Sequence, residues 1–223
     1  MKALAFSGGK DSMACLHLLR EELDCAIYVD TGFAYPETRD LVNYAAGLVT
    51  MYVVQSDRQG QNAREGLPAD VVPVEWTVLG QRFTHPKAVT IQPSLVCCYE
   101  NLAQPLLSKA KELGVTDLYY GQRLDELYRA PARDHEVIDG MTRHHPIETW
   151  TAPQVLDYLA TKMTIPAHYT ITRSSLDCYD CSAYVRESRD RVAWTEVHYP
   201  ARHAAYLVRA NAVHACVQQA FTE

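Results

Sequence analysis

No apolar run in the sequence approaches the ~18 residues that a membrane-spanning helix needs, so no span is expected. Positive charge is also scarce: 21 Lys and Arg stand against 27 Asp and Glu, for a net charge of −6. That balance excludes a wholly basic nucleic-acid-binding surface. A local groove from Arg186, Arg189, Arg191, Arg202 and Arg209 would be the remaining nucleic-acid option, and a solvated helical surface is the simpler reading of those arginines. The Met1–Phe6 stretch turns polar at Ser7, too short for a signal peptide and followed by no small-residue cleavage site, so a cytoplasmic location is expected. The seven cysteines are odd in number, which argues against a disulfide framework in a reducing compartment. Internal repeats and low-complexity linkers are absent. What remains is 223 residues, 48% hydrophobic and 22% charged, enough to bury a core without staples. One domain over residues 1–223, with a C-terminal extension from about 185, is the economical expectation.

The order of elements points to an α/β fold. Lys2–Phe6 is short and apolar and ends in a Ser-Gly-Gly turn, which reads as a buried strand. Met13, Leu16, Leu19 and Leu23 fall at helical spacing over 11–23. Residues 25–29 read as a second strand, 37–48 as a helix and 51–54 as a third strand. Strand and helix in alternation imply a parallel sheet with crossover helices. The stretch 56–93 carries Gly60, Gly66, Pro68, Pro73, Gly80 and Pro86, and reads as a long excursion with short strands at 71–74 and 77–79. A helix over 101–113 with Pro105 as a local defect, a strand over 117–120, and a helix from Thr151 with a capping box to Gln154 complete the reading. The last third is helical in flavour.

Four groups of residues carry chemistry. Ser7-Gly8-Gly9-Lys10-Asp11-Ser12 lies between the first strand and first helix. Its glycines permit close backbone approach, the helix start supplies N–H groups, and Lys10 adds a cation, which together make an anion cradle. It is not a Walker loop, whose first glycine stands farther from its Gly-Lys pair. Asp30-Thr31-Gly32 ends the second strand, where Asp30 could meet magnesium or a ribose hydroxyl. Cys97-Cys98 and Cys178-x-x-Cys181 supply four thiols, which suit an iron–sulfur cluster or a structural zinc, and spacing alone does not choose between them. Cys15 and Cys25 read as core residues. Arg123 and Arg129, in and after Gly121–Glu126, suit bidentate contacts to an anion.

These blocks carry a resemblance. The hexapeptide Ser7–Ser12 resembles the pyrophosphate loop of the PP-loop ATP pyrophosphatase superfamily, whose members cleave ATP between the α and β phosphates. Val29–Thr38 resembles the block after the second strand in phosphoadenosine phosphosulfate (PAPS) reductases and their relatives, and Gly121–Glu126 with Arg129 resembles their arginine block. The tandem cysteines followed by C-x-x-C resemble the cluster pattern of the iron–sulfur adenosine phosphosulfate (APS) reductases. The resemblance implies an adenine nucleotide alpha hydrolase-like sheet. It implies a nucleotide or sulfonucleotide on Ser7, Gly8, Gly9, Lys10, Asp11, Ser12, Asp30, Thr31, Gly32, Arg123 and Arg129, with magnesium as a candidate counterion. It also implies a [4Fe–4S] cluster on Cys97, Cys98, Cys178 and Cys181, with zinc as the lesser alternative.

The sequence departs from the reductases in three places. Its phosphate loop is intact where theirs is generally degenerate. Its tail reads Val213-His214-Ala215-Cys216 where theirs carries Glu-Cys-Gly-x-His, so Cys216 is only a candidate nucleophile. After the tandem cysteines it reads Tyr99-Glu100-Asn101-Leu102, without the basic residue usual there. The leading expectation is therefore an ATP-cleaving enzyme of sulfur activation or transfer, with Lys10 and Asp11 as catalytic candidates of the loop and a sulfur carrier as partner. The alternatives are a sulfonucleotide reductase that uses Cys216 and a thioredoxin-like reductant, and a nucleotide-binding subunit that needs a partner. Homo-oligomerisation is left open.

Overall fold

The computed structural model describes residues 1–126, 132–172 and 176–222. They group into two compact units: Met1–Asp30, Pro36–Gln55 and Pro105–Tyr169 in the first, and Thr31–Tyr35, Ser56–Gln104 and Thr170–Glu223 in the second. Among the described residues no helix is long and apolar enough to cross a membrane.

The first unit is the expected parallel α/β sheet. Its elements are β1 (Lys2–Ala5), α1 (Lys10–Leu19), β2 (Cys25–Asp30), α2 (Pro36–Ala46) and β3 (Met51–Gln55). The strand order is completed by residues 117–120, 137–138 and 141–144, which are β6, β7 and β8 in chain order. The sheet runs β3-β2-β1-β6-β8-β7, parallel throughout except for the β7–β8 hairpin. Alternate side chains face opposite sides. Leu4, Ala26 and Tyr28 join Phe6, Met13, Leu16, Leu41 and Ile147 in one cluster, while Ala3, Cys25 and Ile27 join Leu118, Val115 and Met141 in the other. Both faces are buried, as a parallel sheet requires. Cys15 and Cys25 are core residues as read from the sequence. Within this unit, helix α6 (Ala152–Ala160) opens with the expected capping box between Thr151 and Gln154. Trp150 packs edge-on against Tyr158 at its flank.

The second unit departs further from expectation. The excursion has no strands at 71–74 or 77–79. Instead 3₁₀ turns occupy Val74–Trp76 and Gly80–Arg82, and a parallel pair forms between β4 (Leu67–Ala69) and β5 (Ile91–Pro93). Each of these two strands contains a proline, tolerated because each has only one neighbour. A helix, α3 (Arg58–Glu65), was not legible at all. Its buried face consists of Arg58, Gln61 and Asn62, so the helical period is present but polar. The chain then passes through α4 (Ser94–Cys98) and a π turn (Tyr99–Ala103) to α5 (Gln104–Glu112). Pro105 lacks the N–H that would bond the carbonyl four residues back, which accounts for the wider turn before it. The helical tail forms α7 (Arg189–His198) and α8 (Pro200–Ala220). A small core of Ala69, Trp76, Ile91, Val213 and Cys216 anchors α8.

Candidate functional site

In the first unit, the strand order turns at β1: the chain proceeds outward through β2 and β3, then resumes on the other side of β1 at β6. Such switch points place ligands beyond the strands' C-terminal ends. Ser7–Ser12 leaves β1 here, and Gly121–Glu126 leaves β6. The two segments touch. A Cβ at Gly121 would lie 2.5 Å from the Asp11 carbonyl carbon and 2.6 Å from the Ser12 nitrogen. Gly121→Ala is therefore expected to lower stability by about 1–3 kcal/mol through overpacking, read as a shifted urea midpoint. Gly8 has φ +76°, and a Cβ there would meet Thr38 Cγ2 at 2.6 Å, so glycine is required twice over.

The loop is braced by its own hydroxyls. The Ser7 and Ser12 hydroxyls lie 3.2 Å apart, Ser12 Oγ donates to the Gly9 carbonyl at 3.0 Å, and the Gly9 amide donates to Ser7 Oγ at 3.2 Å. These serines hold the loop's shape. Gly9 is the N-cap of α1 and offers no side-chain acceptor, so the helix start lacks a side-chain cap. Lys10, the cation expected of the loop, is buried, with Nζ 3.0 Å from Asp11 Oδ2. The other Asp11 oxygen meets Arg123 Nη1. Arg123, also buried, contacts Asp125 at 2.9 Å and Glu126 at 3.5 Å. Burial works to lower the Arg123 guanidinium, and Asp11, Glu126 and Asp125 outweigh it and hold it above its ordinary value. Burial, with Asp11 nearby, pushes the Glu126 carboxyl up. Two cations and three carboxylates thus form one network. Asp30 stands at the end of β2 in this unit. Arg129 lies outside the described residues.

In the second unit, the four expected cysteines come together. Cys97, Cys98, Cys178 and Cys181 line one pocket with Arg58, Thr31 and Tyr184. Each of three sulfurs has a polar neighbour. Cys97 Sγ donates to Asn62 Oδ1 at 3.5 Å, Cys98 Sγ lies 3.2 Å from the Tyr184 hydroxyl, and Cys178 Sγ lies 3.6 Å from Thr31 Oγ1. Thr31, expected to face a nucleotide, therefore sits beside a cysteine. The C-x-x-C turn is closed by the Cys181 amide on the Cys178 carbonyl, and the buried Arg191 donates to that same carbonyl at 2.6 Å. Gly32, at φ +78°, is exposed.

Inside that turn, Asp180 joins two arginines: Arg58 at 2.6 Å and Arg209 at 3.2 Å. Arg58 is 2% exposed. Burial works against its charge, but Cys178 and Asp180 hold the guanidinium above its ordinary value. Arg58 Nη2 and Arg209 Nε and Nη2 are buried without a hydrogen-bond partner. Two cations on one carboxylate leave a positive charge in excess beside the thiols.

This arrangement fits an anionic metal–thiolate centre, which would neutralise that excess and accept from the unpartnered N–H groups. Among the described residues no three of these sulfurs lie within 4.8 Å of one another. A tetrahedral zinc would have to draw all four within about 3.8 Å, given its ~2.3 Å Zn–S bonds. Without metal, burial pushes the Cys98 thiol up to about 11 and the Cys178 thiol up to about 12. The contribution of their raised values to the metal-free fold is fully present below the ordinary thiol value of about 8.5, falls progressively as pH climbs above it, and is gone once pH passes 11–12. Denaturant midpoints at pH 7.5 and 10.5 should fall less for Cys98→Ala than for the parent chain.

Sequence reasoning missed Arg58, Asn62, Asp180, Tyr184 and Arg209. Cys216, the candidate nucleophile, is 3% exposed among Trp76, Ile91 and Val213, with burial pushing its thiol up. His214, its candidate base, is exposed. The geometry makes Cys216 a core residue, because apolar burial favours the unreactive thiol.

Comparison with known proteins follows the same lines. The family model described as phosphoadenosine phosphosulfate reductase domain matches residues 2–184. Similar solved structures include a PAPS reductase from Candida auris in a phosphate complex, 17% identical over 76% of this chain and 77% of that one, with a TM-score of 0.49. An alanine mutant of FMN adenylyltransferase from Candida glabrata is 11% identical over 70% of this chain and 46% of that one, with a TM-score of 0.41. A predicted tRNA methyltransferase subunit from Methanocaldococcus jannaschii is 17% identical over 90% of each chain, with a TM-score of 0.39. A search of curated proteins finds no match.

Proposed function

The chain belongs to the phosphoadenosine phosphosulfate reductase domain family, and from that premise we propose that it cleaves ATP between the α and β phosphates to activate an acceptor for sulfur transfer. The observation that carries this reading is the intact Ser7–Ser12 loop, braced by its own serines at the switch point of the sheet. The β and γ phosphates would lie against the loop amides and the start of α1. Phosphate would draw Lys10 from Asp11, and Asp11 would keep Arg123. The freed carboxylate oxygen, with Glu126, would suit a magnesium ion that arrives with the nucleotide. An acceptor oxygen would attack the α-phosphorus and lose its proton to solvent. The bond to the β-phosphate oxygen would break, and pyrophosphate would leave with its charge held by Lys10 and the amides.

In this proposal Cys97, Cys98, Cys178 and Cys181 hold a [4Fe–4S] cluster. When bound, it would supply a site that takes up and returns electrons or holds sulfur. The work of the chain's own residues is to keep the thiols together and to shield them. A cytoplasmic setting and a sulfur carrier or thiol reductant as partner belong to the same reading.

The burial of Cys216 weighs against the sulfonucleotide reductase alternative, which needs a reactive thiol. Cys216→Ala tests the choice. Pyrophosphate release from ATP is expected to stay within about twofold of the parent chain. Sulfite formation from APS or PAPS that disappears in Cys216→Ala would put the reductase first. ATP binding without turnover, rescued by a second protein, would make the chain a subunit.

A further inference from the structure

The segment after the tandem cysteines, Tyr99–Leu102, carries no cation. The positive charge at the thiol pocket comes from elsewhere: from Arg58 on α3, and from Arg209 on α8. Both are fixed by one residue, Asp180, which lies between the C-x-x-C cysteines. Arg58 lines the pocket itself, and its charge acts on Cys97, Cys98 and Cys178 alike. Other charged groups are more local. Asp177 acts on Cys178, Arg191 is occupied by the backbone carbonyls of Asp177 and Cys178, and Glu100 is bonded to Gln61.

We propose that Arg58, oriented by Asp180 and assisted by Arg209, is the positioning residue that sets the reduction potential of the four-cysteine centre. The inference rests on the cluster reading given above. Its physics is that of a fixed charge in a poorly solvated pocket. Adding one electron makes a metal–thiolate centre more negative, and a buried cation beside it favours that form. Arg58, on the wall of the same pocket, also brings an Nη2 with no hydrogen-bond partner, a second influence in the same direction. Asp180 opposes both arginines with its charge while holding both in place. The three residues should therefore move the potential in opposite senses.

The test is an anaerobic redox titration followed by electron paramagnetic resonance, with iron and sulfide measured on the same samples. Arg58→Gln and Arg209→Gln are expected to lower the midpoint potential, and Asp180→Asn to raise it, each with iron content close to the parent's. A merely structural role would lose iron without that opposed pattern. Should Arg58→Gln fail to fold, Arg209→Gln, whose side chain is 21% exposed, reads the assisting cation, and Asp180→Asn reads the residue that orients Arg58. Midpoints that coincide within error, or shift in one direction for all three, overturn the proposal while leaving the cluster in place. A parent chain that binds no iron overturns the cluster reading and this inference together.

Discussion

Lys10→Ala should lower pyrophosphate release from ATP by about 10²–10³-fold, the usual cost of removing one donor that stabilises charge on a leaving group. The effect should fall on turnover more than on nucleotide affinity, because the charge on departing pyrophosphate grows only as the bond breaks. Folding should change little. Lys10 is buried, but its partner Asp11 retains Arg123 when Lys10 is gone, so no buried carboxylate is stranded. Steady-state release assays and urea midpoints on the same preparations check both halves. A variant that folds and turns over at the parent rate would remove Lys10 from the chemistry.

Cys178→Ala should reduce bound iron from about four per chain to near zero. Cys178 sits at the head of a turn closed by Cys181, its sulfur faces Thr31, and it shares its pocket with the other three thiols. Losing one of four ligands removes a corner that the remaining residues do not replace: the polar neighbours of this sulfur and of Cys98 are hydroxyls of Thr31 and Tyr184, poor substitutes for a thiolate. Cys15→Ala and Cys25→Ala should keep full iron, since both thiols are buried in the sheet's core clusters. Iron and sulfide analysis of the three variants after anaerobic purification decides this. Zinc in place of iron in the parent would contradict the cluster reading.

The sheet was legible because its strands are short apolar runs bounded by glycine and aspartate, and both of their faces are buried. Four thiols in one pocket could be anticipated from spacing and resemblance. Their surroundings could not. The face of α3 that packs inward is Arg58, Gln61 and Asn62, and a polar buried face leaves no hydrophobic period to read. Arg209 looked like one more surface arginine until Asp180 fixed it at 3.2 Å. Lys10 shows a neighbour that the loop motif alone does not reveal. A lysine in a glycine loop suggests a free cation, but its neighbour Asp11 already holds it. For Cys216, position in the tail says nothing about burial, and the thiol is packed with Trp76 and Val213 in an apolar core.

The most direct test of the account is ³¹P NMR of ATP with magnesium and the iron-loaded protein, with candidate acceptors added in turn. AMP-ester or AMP signals together with pyrophosphate, lost in Lys10→Ala, are predicted. ADP with inorganic phosphate, or intact ATP with every acceptor while APS or PAPS is converted to sulfite, would contradict it.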